Sequence, residues 1–74
     1  MIICYKRLGL RVREERLKIN LTQEQLAEAI DILNSYMGQI ERGERSVTLD
    51  TLLRLTNKLG ITVDYLLQEI RFKS

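Results

Sequence analysis

The stretch LTQEQLAEAIDILNSYMGQIERGER, residues 21–45, decides the fold. Thr22 is a good helix N-cap, because its hydroxyl can accept from a free backbone N–H, and Gln25 three residues on completes a capping box. The helix it opens covers residues 23–30, with Leu26, Ala27 and Ile30 inward. Two turns are marginal alone, so tertiary packing must hold them. Asp31-Ile32-Leu33 breaks the periodicity, and another helix starts near Asn34 and stops at Gly43. At about 100° per residue, Met37 and Ile40 fix the inward direction of this third helix. Ser35 and Arg42 then point outward, Gly38 and Gln39 flank them, and Asn34 lies at the edge. Tyr36 and Glu41 sit at the two boundaries with the core. The exposed face reads Asn, Ser, Gly, Gln, Arg. Asn, Gln and Arg carry paired donors and acceptors that match base edges in the major groove. The alternative is an ordinary solvated face, which usually carries more Lys and Glu. Gly38 in mid-helix costs about 1 kcal/mol relative to Ala, and close approach to another surface would justify it.

Working outward, every remaining piece also reads as helix. The first covers residues 5–19, with Leu8, Val12, Arg16 and Ile19 on one stripe, and Asn20 closes it in the left-handed conformation. Thr48 can cap a fourth helix, with Asp50 in its first turn, Leu49, Leu52, Leu55 and Leu59 at helical spacing, and Gly60 as the stop. Thr62 caps a fifth, with Asp64 in its first turn and Leu66, Leu67 and Ile70 inward. No strict apolar–polar alternation marks a strand.

Composition sets the outer bounds. A chain of 74 residues, 45% hydrophobic and 5% aromatic, is one domain near the lower limit of what a single core supports, so a partner subunit is suspected. With no His and one Cys, His-based triads, His/Cys zinc sites and internal disulfides are excluded. Cys4 reads as a free structural thiol, since nothing suggests a resolving partner. The start lacks the pattern of a signal peptide and no apolar run approaches a membrane span, so the expected location is cytoplasmic. No cofactor, metal or membrane partner is expected, and with no Gly-rich phosphate loop and no convincing acid pair, neither is an enzyme. The net charge of +2 is weak, but residues 1–20 hold six basic side chains against two acidic ones, which suits a phosphate-facing surface as well as a solvated one.

Four segments in this order, LTQEQLAE (21–28), SYMGQIERGER (35–45), LDTLLRL (49–55) and LGITVDYLL (59–67), resemble the Cro/C1-type (XRE) helix-turn-helix regulators. The match covers residues 8–67. The resemblance implies an all-α, five-helix, lambda-repressor-like DNA-binding domain spanning residues 1–74, with helices 2 and 3 as the helix-turn-helix. Its second helix would lie across the DNA backbone and its third enter the major groove. By position, Asn34, Ser35 and Gln39 match base-reading residues, and Gln23 matches a residue that touches phosphate and braces the third helix. Residues 42–46 match a phosphate-contacting loop. The candidate backbone-contact set is Gln23, Tyr36, Gly38, Arg42, Gly43, Arg45, Ser46 and, on the basic first helix, Arg11. Arg16 and Glu41 match a buried or half-buried salt bridge. Three positions depart from the family pattern. Asp31 replaces the turn Gly, Leu33 replaces the Ser or Thr before the third helix, and Val47 replaces the Pro before the fourth. With Leu33 there, the cap either falls to Asn34, committing its side chain, or is weak.

Two functions follow. One is a sequence-specific regulator of double-stranded DNA, a homodimeric repressor reading an inverted repeat. The other is an antitoxin-like or phage regulatory module whose main role is binding a protein partner. The tail, residues 68–74, serves either as a dimerisation or partner surface, or merely extends the fifth helix or frays. Tyr65, Ile70 and Phe72 are the candidate dimer contacts, with the apolar start Met1-Ile2-Ile3 second.

Overall fold

A computed structural model describes residues 2–68 and 71–72. The order is β1 (Ile2–Ile3), α1 (Tyr5–Lys18), α2 (Gln23–Ala29), α3 (Asn34–Glu41), α4 (Leu49–Leu59), α5 (Val63–Leu67) and β2 (Arg71–Phe72). Three of the helices begin on the same device. Thr22, Thr48 and Thr62 each accept from the backbone N–H three residues on, at 3.0–3.2 Å, and at Thr22 the Gln25 side chain returns the bond to complete the box. The ends are as regular. Asn20, Asp31 and Gly43 adopt left-handed φ of 58°, 60° and 72° after α1, α2 and α3. At each, two N–H groups reach back to carbonyls of the last turn, as Asp31 does to Glu28 and Ile32 to Ala27. This is the bonding of a Schellman closure, which satisfies carbonyls the helix leaves open.

The core gathers Leu8 and Val12 of α1, Leu26, Ala27 and Ile30 at α2, Met37 of α3, Leu52, Leu55 and Leu59 of α4, and Leu66 of α5. Two expected stripe members differ. Ile19 is the C-cap of α1 and is exposed, because the backbone leaves the helix before its side chain can turn inward. Leu49 opens α4 and is also exposed. The tail does not extend α5: Gln68 is extended (φ −60°, ψ 133°), and residues 71–72 pair antiparallel with β1, Ile2 opposite Phe72 and Ile3 opposite Arg71. Two-residue strands are too short to show alternation, so the sequence held no signal for this pair. Ile70 lies outside the described residues.

Candidate nucleic-acid interface

The orientation of α3 is set by a buried polar junction and one close backbone contact. Arg16 of α1 donates from Nε and Nη2 to the two carboxylate oxygens of Glu41, at 2.7 and 3.0 Å. Its Nη1 donates to the Leu21 carbonyl at 2.8 Å, and Gln23 Nε2 donates to Glu41 Oε1 at 3.1 Å. One carboxylate therefore ties α1, α2 and α3 together. The bonds to Glu41 hold Arg16 charged, raising its pKa against the opposing effect of burial. Beside this junction Gly9 lets α1 touch the end of α3. A Cβ there would fall against the carbonyl oxygens of Ile40 and Glu41, 2.6 Å from the latter.

On the far side of α3, Asn34 and Ser35 are exposed and Gln39 is half-buried. Leu33 occupies the N-cap position without a side-chain cap, which leaves Asn34 as the first helical residue, outside the capping role. Gly38 is not on the exposed face, contrary to the helical-wheel reading. It is buried, because Arg42 and Gln23 fold over it: a Cβ would lie 3.0 Å from Arg42 Nη1 and 3.5 Å from Gln23 Oε1. Its missing side chain makes room for the chain's own arginine. Arg42 in turn donates bidentately to Glu44, at 3.0 and 3.1 Å. The pair raises the Arg42 pKa and lowers that of Glu44, chiefly through these hydrogen bonds.

The loop after α3 is fastened to it. The Tyr36 hydroxyl donates to the Ser46 carbonyl at 3.4 Å, and the Arg45 guanidinium lies 5.8 Å from the Tyr36 ring centroid. Gly43, at φ +72°, packs so tightly on the start of α1 that a Cβ would sit 2.6 Å from Lys6 Cα. This brings exposed Lys6 beside the loop. Lys6 belonged to the basic first helix in the sequence but no spacing marked it, since its neighbour is 37 residues away. Arg11 is not brought here. It lies about 200° around α1 from Gly9, stacks 5.4 Å over Tyr65, and donates to the carbonyls of Tyr65 (3.2 Å) and Gln68 (3.4 Å). A cation two residues from Gly9 must face away from α3, and Arg11 instead covers the open C-terminal end of α5. Tyr65 is 38% exposed, and its hydroxyl donates to Glu15 at 3.5 Å, so part of its surface serves the α1–α5 contact. The side chains of residues 70 and 72 lie outside the description.

What remains around α3 is a polar face of short hydrogen-bonding side chains, held rigidly and edged by Arg45 and Lys6. Among the described residues no cluster of three or more Cys, Asp or Glu side chains could hold a metal, and no helix is long and apolar enough to cross a membrane. Two short helices joined by a tight left-handed turn, the second presenting this face, define a helix-turn-helix protein. The helix-turn-helix family model matches residues 12–66, and the chain belongs to that family, as a Cro/C1-type regulator. It is 42% identical over 60 residues to the transcriptional regulator ImmR of Bacillus subtilis, covering 81% of this chain and 47% of ImmR. It is 48% identical over 56 residues to the control protein C.SmaI of Serratia marcescens, covering 76% and 67% of the two chains. The P22 c2 repressor protein, solved in complex with synthetic operator 9T, superposes with a TM-score of 0.77 at 33% identity, covering 82% of this chain and 92% of that one. The chain thus spans about half the length of ImmR.

Proposed function

We propose that this protein is a sequence-specific double-stranded-DNA-binding transcriptional regulator, a homodimeric repressor that reads an inverted repeat with α3 in the major groove. The observation that carries the reading is the α3 face, Asn34, Ser35 and Gln39, fixed against α1 and α2 by the Arg16–Glu41–Gln23 junction. Asn and Gln offer paired donor and acceptor groups to base edges, with Gln39 suited to adenine. Gln23, Tyr36, Arg42, Gly43, Arg45 and Ser46 flank that face and supply backbone contacts, joined by Lys6. Arg42 must exchange Glu44 for a phosphate oxygen to take part. The relatives' names, a transcriptional regulator, a control protein and a repressor held with its operator, support the same reading.

Homodimerisation follows from the small size of one reading face. Two copies related by a two-fold axis place their α3 helices in successive major grooves, about 34–36 Å apart. Selecting duplexes from a random pool with the full chain should return an inverted repeat with that spacing, and Gln39→Ala should lose roughly 1–3 kcal/mol on it and relax preference at one position per half-site. Equal losses on selected and random duplexes would remove Gln39 from base reading. A species that sediments as a monomer at every concentration and grips a single half-site tightly would overturn the dimer.

A further inference from the structure

We infer that Leu33 is a specificity residue that reads the 5-methyl group of a thymine next to the bases reached by Ser35 and Gln39. The inference rests on the DNA-binding function proposed above. Among the described residues Leu33 is the most exposed large hydrophobic side chain, at 74%. The others in that class stand on α1 or its end, on α4 or on α5; only Leu33 belongs to the α2–α3 unit. Its backbone explains the exposure. After the left-handed Asp31, Ile32 turns in against the core, and Leu33, extended at φ −68° and ψ 142°, turns out.

Nothing in the fold calls for a leucine at this place. The chain caps α2, α4 and α5 with a threonine hydroxyl, yet α3 opens on a side chain that cannot cap. Ser, Thr, Asn or Asp there would hold the helix start more firmly. Helix α1 also opens without a side-chain cap, at the half-buried Cys4, but at α3 the uncapped position leaves a large apolar group in water, and that marks a residue kept for something outside the fold. The surroundings say what. Leu33 and Ile32 form one wall of an open depression of about 540 Å³, whose other walls are Asp31, Ser35, Tyr36, Gln39 and Arg45. Two of those residues are base-reading candidates and one is a cation suited to phosphate. An apolar wall among base-reading groups at the start of a major-groove helix fits the one apolar group exposed in that groove, the thymine methyl. An apolar face meant for a protein would be larger.

The test uses the full chain and the duplex recovered by selection from a random pool. Each thymine is replaced in turn by deoxyuridine, which removes the methyl and nothing else, and binding is followed by fluorescence anisotropy. One substitution per half-site should weaken wild type about three- to fivefold, the worth of one buried methyl. Leu33→Ser should lose that sensitivity, keep its response to every other replacement, and melt no lower than wild type, because Ser supplies the missing cap. Retention of every deoxyuridine effect in Leu33→Ser, or the lack of any effect in wild type, overturns the inference while the regulator reading stands. A pool that yields no preferred duplex brings down the regulator reading, and this inference with it.

Discussion

Replacing Glu41 with alanine should remove a large share of the stability of this domain. The two side chains of the Arg16–Glu41 pair are only 9% and 3% exposed, and the pair is bidentate. Truncation takes away both carboxylate oxygens. Arg16 then keeps only its 2.8 Å bond to the Leu21 carbonyl, and Gln23 Nε2 loses its acceptor. A buried charge left in this state costs about 3–5 kcal/mol. Ordinary stabilities of roughly 0.05–0.15 kcal/mol per residue give a 74-residue chain about 4–11 kcal/mol in all. The variant should therefore lose about a quarter or more of its stability, and a domain at the low end of that range would sit at its unfolding midpoint. Urea melts followed by far-ultraviolet circular dichroism measure the loss. With a slope of about 1 kcal/mol/M, the midpoint should move down by about 3 M or more, and an osmolyte such as trimethylamine oxide recovers a folded baseline if needed. The double variant Arg16→Met/Glu41→Leu separates lost charge pairing from lost volume. It should recover most of the loss, because an apolar pair of similar size replaces the ions without desolvating any, while Gln23 Nε2 and the Leu21 carbonyl still lack their partners. A loss below about 1 kcal/mol in Glu41→Ala, the value of an exposed pair, would refute the reasoning.

Three further outcomes are expected. Arg45→Ala should weaken binding to all duplexes alike and lower the slope of log affinity against log salt by about one; an unchanged slope removes Arg45 from the phosphate contacts. Gly9→Ala should cost about 1–3 kcal/mol or more in a urea melt, because the new methyl meets the Ile40 and Glu41 carbonyls, and an unchanged midpoint would mean that α1 and α3 can separate freely. Arg42 depresses the pKa of Glu44, so this pair's contribution is present above the ordinary glutamate range and is lost only as pH falls through the lowered value. An NMR titration should place the Glu44 midpoint below that range and show Arg42→Ala moving it back up; a midpoint indifferent to Arg42 would deny the pairing.

The parts of the fold legible in the sequence were those written in local chemistry. Thr22 with Gln25, Thr48 and Thr62 each announced a helix start, and Asn20, Gly43 and Gly60 announced ends, because a cap joins residues three or four apart. The Arg16–Glu41 contact spans 25 residues; the family resemblance named the pair, and the placing of both side chains at the edge of the core agreed with it. Lys6 against Gly43 and Arg11 against Tyr65 had no such help, and no periodicity encodes contacts of that range. The wheel placed Gly38 by angle alone. It could not foresee that Arg42, four residues on, would lie back over the space a side chain would have filled.

Local rules are kept and broken in different parts of this molecule. The helices α4 and α5 follow them, with threonine caps and first-turn acids. The α2–α3 unit and its supports break several within a dozen residues. A non-glycine residue takes the left-handed turn at Asp31, a leucine stands where a cap belongs, a glycine interrupts α3, and a carboxylate is buried at Glu41. Each exception is a small loss of stability in a chain with little to spare. Two of them have an account within the fold. Glu41 fixes α3 against two other helices, and Gly38 makes room for Arg42 over α3. Leu33 has none, since it neither caps nor packs. If these exceptions exist to shape and hold a reading face, relieving Leu33 should stabilise the domain while relaxing its sequence preference, whereas relieving Glu41 should loosen the face itself. A Leu33→Ser variant that gains stability and keeps its full sequence preference would break that link between the irregular residues and recognition.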